Sequence, residues 1–86
     1  MREKLNQITI VVNGQPIKVQ VKPETLIRTA VIDALKESGN SGQPLENWEL
    51  RDSSGQIIDL DKSVENVVPK EGTELFLSLK AGVGGN

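Results

Sequence analysis

The stretch Ile8-Thr9-Ile10-Val11-Val12-Asn13-Gly14-Gln15-Pro16-Ile17-Lys18-Val19-Gln20-Val21 decides how this chain folds. Ile8, Ile10 and Val12 alternate with Thr9, Val11 and Asn13, a period of two in β-branched residues that reads as a strand. Asn13-Gly14 then supplies a two-residue hairpin turn, because both central positions of a type I′ turn need positive φ. Ile17, Val19 and Val21 alternate with Lys18, Gln20 and Lys22 on the far side of the turn. Pro16 lies just past the turn, where a lost backbone donor does no harm. The product is a hairpin with one apolar face, and that face needs a cover.

The next segment provides one. Pro23 ends the second strand, Thr25 is placed to cap a helix, and Glu24 adds negative charge near its start. Leu26, Ile27, Ala30, Val31, Ala34 and Leu35 recur at spacings of three and four, a single apolar stripe. Lys36 falls in the last turn and Gly39 offers a left-handed stop. Residues 40–47 are a loop rich in Gly, Ser, Asn and Pro. Residues 48–52 read as a third strand with Trp48 and Leu50 inward, Ser53-Ser54-Gly55 as a turn, and residues 56–60 as a short fourth strand. Residues 61–67 suit one helical turn, residues 69–72 break it, and Leu75, Leu77 and Leu79 alternate with Phe76, Ser78 and Lys80 as a last strand. The order is β-β-α-β-β-(short helix)-β. It predicts an α+β fold, one domain over residues 1–80, with a curved sheet wrapped on one main helix and wet on its outer face. Inward parity puts Ile10, Val19, Val31, Leu35, Leu50, Leu75 and Leu77 in the core. Residues 81–86, half of them glycine, have little to bury and read as a flexible tail.

Composition limits the chemistry. With 86 residues the core is small, since folding hides only about 60–65% of such a chain's surface. Cys, His and Tyr are absent, which removes the thiol nucleophile, the commonest metal ligand and the commonest general base. No enzymatic activity and no cofactor are expected of the chain itself. Ten basic residues stand against twelve acidic ones, a net charge of −2, with no basic run that would favour nucleic acid or an anionic membrane. No apolar stretch approaches the roughly 20 residues of a membrane span, and the charged N-terminus leads into no signal-type segment, so a cytoplasmic location is expected. Asp59, Asp61 and Glu65 lack the Gly and final Glu of a calcium loop and read as a solvated turn.

Taken together, the ordered set resembles the ubiquitin-like proteins over residues 7–85. The hairpin at residues 8–21 is similar to their first two strands, and Val21-Lys22-Pro23-Glu24-Thr25-Leu26 to the lead-in to their central helix. Trp48-Glu49-Leu50-Arg51-Asp52 and Gly55-Gln56-Ile57-Ile58-Asp59-Leu60 resemble the third and fourth strands. Asp61-Lys62-Ser63-Val64 and then Gly72-Thr73-Glu74-Leu75-Phe76-Leu77-Ser78-Leu79 resemble the short helix and final strand. Val83-Gly84-Gly85 resembles the diglycine end, and among ubiquitin-like proteins the chain is most similar to small bacterial ones that keep a residue after the diglycine. The tail departs from ubiquitin in having only Lys80 as a basic residue before Ala81, and the outward positions of the third strand are Glu49 and Arg51 rather than an apolar residue.

The resemblance implies a β-grasp and a protein modifier that works through its C-terminal carboxylate. It implies Gly85 as the residue covalently attached through an isopeptide bond, Gly84 as the residue threading an enzyme channel, and Gly82 and Val83 as the stem. Asn86 stands after the diglycine, so a processing peptidase has to remove it before ATP-dependent activation. The implied partners are activating and conjugating enzymes, that peptidase, and protein targets. Val11 and Phe76, on the outward parity of strands that neighbour each other in such sheets, form a candidate partner surface. Two alternatives stand beside this reading. One is a sulfur carrier, whose terminal thiocarboxylate needs a bare Gly end. The other is a non-covalent or self-associating module, in which the Val11–Phe76 surface matters and the diglycine does not.

Overall fold

The computed structural model describes residues 6–68 and 72–82. Its elements are β1 (Gln7–Val12), β2 (Gln15–Gln20), α1 (Ile27–Glu37), a 3-10 turn (Leu45–Asn47), β3 (Trp48–Arg51), α2 (Val64–Val67) and β4 (Glu74–Leu79). The hairpin forms in the register that the alternation predicts, with Ile8 opposite Val19 and Ile10 opposite Ile17. Asn13 and Gly14 hold φ of 50° and 88°, the pair of positive values a type I′ turn requires. β4 then pairs in parallel with β1, and β3 antiparallel with β4, so the strand order is β2-β1-β4-β3. The sheet is therefore mixed, with the first and last strands at its centre.

α1 crosses the inner face and buries Ile27, Ala30, Val31, Ala34 and Leu35. They meet Ile8, Ile10, Val12 and Val19 from the hairpin, Leu50 from β3, and Leu75 and Leu77 from β4, all of them buried. All seven residues assigned inward by parity lie in this core. The helix stops where Gly39 takes φ of 77°: the Gly39 N–H donates to the Lys36 carbonyl and the Asn40 N–H to the Leu35 carbonyl. That pair of bonds is a Schellman cap, which glycine permits at least cost.

Three local expectations are corrected. Thr25 does not cap α1: its Oγ1 accepts the Lys22 N–H at 2.9 Å, and the residue preceding the helix is Leu26. The helix is capped by distant backbone instead, Ile27 N–H donating to the Lys62 carbonyl and Arg28 N–H to the Leu60 carbonyl. Leu26 leaves the apolar stripe and is 44% exposed, because it bridges to Ser63 rather than packing inward. Residues 56–60 do not make a strand. Only an isolated bridge, Arg51 to Ile57, forms, with Asp52 N–H donating to the Gln56 carbonyl and Ile58 N–H to the Leu50 carbonyl. Two bonds are too few to extend the ladder, and from residue 59 the chain turns toward α2. No helix among the described residues is long and apolar enough to cross a membrane.

Candidate functional site

β4 ends at Leu79, and the Lys80 N–H donates to the Asn47 carbonyl at 2.8 Å, which prolongs the β3–β4 pairing by one residue. Ala81 and Gly82 follow as an exposed turn, Gly82 at φ of 87° with open space where a Cβ would stand. The chain thus leaves the globule from the end of a central strand, where the core holds its root. The remaining assigned residues, Val83, Gly84, Gly85 and Asn86, lie outside the described residues, and so does the question of the tail's flexibility.

The outer-face pair falls where parity puts it. Val11 and Phe76 are register partners across the parallel β1–β4 ladder. Val11 is half-buried and Phe76 is 37% exposed. The row continues on both sides, to Pro16 beside Val11 and to Arg51 beside Phe76, and Arg51 bridges to Ile57. An apolar strip therefore runs across the sheet, interrupted by one guanidinium. That guanidinium is held by its neighbours: its Nε and Nη2 donate to Glu49 at 3.3 and 3.0 Å, and Nη1 donates to the Gly55 carbonyl at 2.7 Å. The strip suits a partner that offers apolar contact and tolerates a neutralised ion pair.

Two of the three acids considered from sequence, Asp59 and Asp61, have local employment. Asp61 pairs with Arg28, and Asp59 accepts the Asp61 N–H at 2.9 Å. Asp52 builds a turn, its Oδ1 accepting the Ser54 hydroxyl at 2.7 Å and the Ser54 and Gln56 N–H groups at 2.9 and 3.0 Å. The Ser54 hydroxyl first, then the backbone donors, hold the Asp52 carboxyl below its usual value. No group of three or more His, Cys, Asp or Glu residues among the described residues could hold a metal ion.

The sequence places Trp48 on the inward parity of its strand, and it is 3% exposed. It did not reveal that the indole N–H has no acceptor among the described residues. Nor did it single out Ile57, the most exposed large apolar side chain among them at 58%. Both facts depend on how residues 56–60 pass β3, which no local pattern encodes.

The sequence profile of a family described as "Protein of Unknown function (DUF2604)" matches residues 2–85. A curated relative from Sinorhizobium fredii, named uncharacterized protein y4jI, is 42% identical over 79 residues. That match covers 92% of this chain and 61% of the relative, so the chain spans about three fifths of the relative's length. Among solved structures, a protein designed de novo on the basis of ubiquitin is similar at a TM-score of 0.69 and 24% identity, with 100% of both chains covered. At that identity the likeness speaks for the fold, which is the ubiquitin-like β-grasp.

Proposed function

The chain belongs to the DUF2604 family and has a ubiquitin-like fold, and on that premise we propose that it is a protein modifier attached through the carboxyl group of Gly85. The observation that carries this reading is the way the fold ends. Lys80 is hydrogen-bonded into the sheet, Ala81 and Gly82 are exposed beyond it, and Val83-Gly84-Gly85 come next in sequence. Glycine suits a segment that must pass through a narrow channel, because without Cβ the backbone approaches the walls closely.

The chemistry is supplied by partners. A peptidase hydrolyses the Gly85–Asn86 bond with one water, leaving a carboxylate on Gly85. An oxygen of that carboxylate attacks the α-phosphorus of ATP, pyrophosphate leaves, and Gly85 becomes an acyl adenylate. A thiol of the activating or conjugating enzyme displaces AMP, and a target amine then displaces the thiol to form the isopeptide bond. This chain contributes the acyl group and a surface by which the enzymes hold it. The Val11–Phe76 strip is the surface proposed for that hold.

That same strip favours a second reading, a non-covalent interaction module. The two separate in one experiment, in which the protein is incubated with ATP, an activating enzyme and a processing peptidase, and read by intact mass. The form ending at Asn86 is inert without the peptidase, and the form ending at Gly85 gives an adenylate and then a conjugate. Gly85→Ala slows the reaction while leaving the unfolding midpoint unchanged. No conjugate from the Gly85 form with enzymes active on another substrate would leave the interaction module as the function.

A further inference from the structure

The hairpin turn carries a chemistry of its own. Asn13 is followed by Gly14, and no other asparagine of the chain is followed by glycine. Both residues are exposed. The Asn13 carboxamide makes no hydrogen bond among the described residues, and neither does the Gly14 N–H. Three other asparagines stand in contrast. The Asn40 carboxamide donates to the Ser38 carbonyl and hydroxyl at 3.2 and 2.9 Å, that of Asn47 to Gln43 at 3.0 Å, and that of Asn66 to the Ser63 hydroxyl at 2.9 Å. Each of these is followed by a residue with a side chain, Ser41, Trp48 and Val67. A Cβ built on Gly14 meets nothing within 4 Å, so no neighbouring group packs over the turn there.

The free carboxamide and the free nitrogen are partners in one possible ring. The Gly14 nitrogen, the Asn13 main-chain carbonyl carbon, Cα, Cβ and Cγ make five members once nitrogen bonds to Cγ. A side chain on the following residue crowds that closure, and glycine has none. We propose that Asn13 is a site of self-modification, converted to aspartate and isoaspartate through an imide formed with Gly14. The Gly14 amide gives its proton to a water or hydroxide, and its nitrogen attacks Cγ of Asn13. The carboxamide nitrogen takes up a proton and leaves as ammonia. One water then opens the imide. Attack at Cγ breaks the new bond and leaves aspartate; attack at the main-chain carbonyl breaks the original peptide bond and leaves an isoaspartyl link. No oxidant, reductant or enzyme is needed.

The turn sets the pace and feels the result. Ring closure fixes the Asn13 ψ away from the value of a type I′ turn, so the turn opens as the ring forms. Among the described residues its one tie to β4 is the Asn13 N–H bond to the Leu77 carbonyl at 3.0 Å. Aspartate tolerates the left-handed φ of 50° much as asparagine does, so that product keeps the turn. The isoaspartyl product routes the main chain through Cβ and adds an atom to a connection that fits only two residues. Its strain falls on the Val12–Gln15 rung and then on Val11–Pro16. The modification stands independently of the modifier reading.

The test is incubation of the full chain in mildly alkaline buffer, sampled by anion exchange and intact mass. Trypsin then releases residues 5–18 for fragmentation. A more acidic form one mass unit heavier accumulates, the change maps to residue 13, and the peptide splits into aspartyl and isoaspartyl isomers with the isoaspartyl in excess. Conversion at Asn13 outpaces that at Asn6, which precedes Gln7 in the same peptide, by about tenfold or more, because a side chain after the asparagine crowds the attacking nitrogen. Asn13→Gln, which would need a six-membered ring, shows no change at residue 13, and Asn13→Asp co-elutes with the aspartyl product. A residue 13 that stays unchanged in the folded chain, after the same chain in guanidinium has converted, overturns the proposal, since the fold would then protect the turn. So does an aspartyl product without isoaspartate, because direct hydrolysis by water needs no imide, and so does a rate at Asn13 no greater than at Asn6.

Discussion

Asp52 and Gly39 show how much a single position settles. The Asp52 carboxylate gathers three donors into the turn after β3, and those bonds hold its carboxyl low. A folded value below the ordinary one near 3.9 means that the turn's support is complete at neutral pH and is lost as pH falls through the lowered value. Ser54→Ala removes the largest cause, so the Asp52 titration followed by NMR should move up toward its ordinary range; an unmoved titration would contradict the assignment. Gly39 was legible as a helix stop from sequence, and the structure adds why it must be glycine. A Cβ there meets nothing within 4 Å, so the cost of Gly39→Ala is the left-handed backbone alone, about 1–2 kcal/mol by denaturation. Thr25 was misread at this same scale. A Thr before an apolar run fits a cap, but its hydroxyl found a nearer donor in Lys22.

At the scale of elements, the two helices fasten each other. Ile27 and Arg28 donate to carbonyls at Lys62 and Leu60, while Val64 and Glu65 donate to carbonyls at Thr25 and Pro23, with Leu26 and Ser63 bridged between them. Each helix start is thus satisfied by the backbone leading into the other. Contacts some 35 residues apart leave no mark in a local pattern, which is why the sequence pointed to a side-chain cap and to a fourth strand. The hairpin, α1 and β4 were legible because period and turn chemistry act within a few residues. β4 gives the clearest test of parity. Leu77 is buried against β1 and β3 partners, so Leu77→Ala should cost about 2–5 kcal/mol in chemical denaturation. Phe76, its neighbour on the other face, should tolerate Glu with little change in stability, yet that change should weaken binding to the activating enzyme. Equal stability losses at Leu77→Ala and Phe76→Glu would mean that the two faces are not distinct.

For the whole molecule, the parallel pairing of β1 with β4 brings the first strand beside the last and sends the chain out from the centre of the sheet at Lys80. A domain of this size has only about 5–15 kcal/mol of stability in total, so a feature kept outside the core adds a handle without drawing on it. The ubiquitin-like fold was readable in the order of elements, and the role proposed for the diglycine rests on that fold together with the sequence of the tail. No Lys or Arg follows Lys80, and this gives the account its most direct measurement. Trypsin cleavage after Lys80 leaves Ala81-Gly82-Val83-Gly84-Gly85 on any residue to which the protein has been joined. Mass spectrometry of tryptic digests, from cells that make the protein and purified under denaturing conditions, should find lysines bearing that five-residue remnant, ending at Gly85. Remnants that retain Asn86, or tagged protein recovered only unconjugated from cells that also make an activating enzyme active on it, would contradict attachment through Gly85.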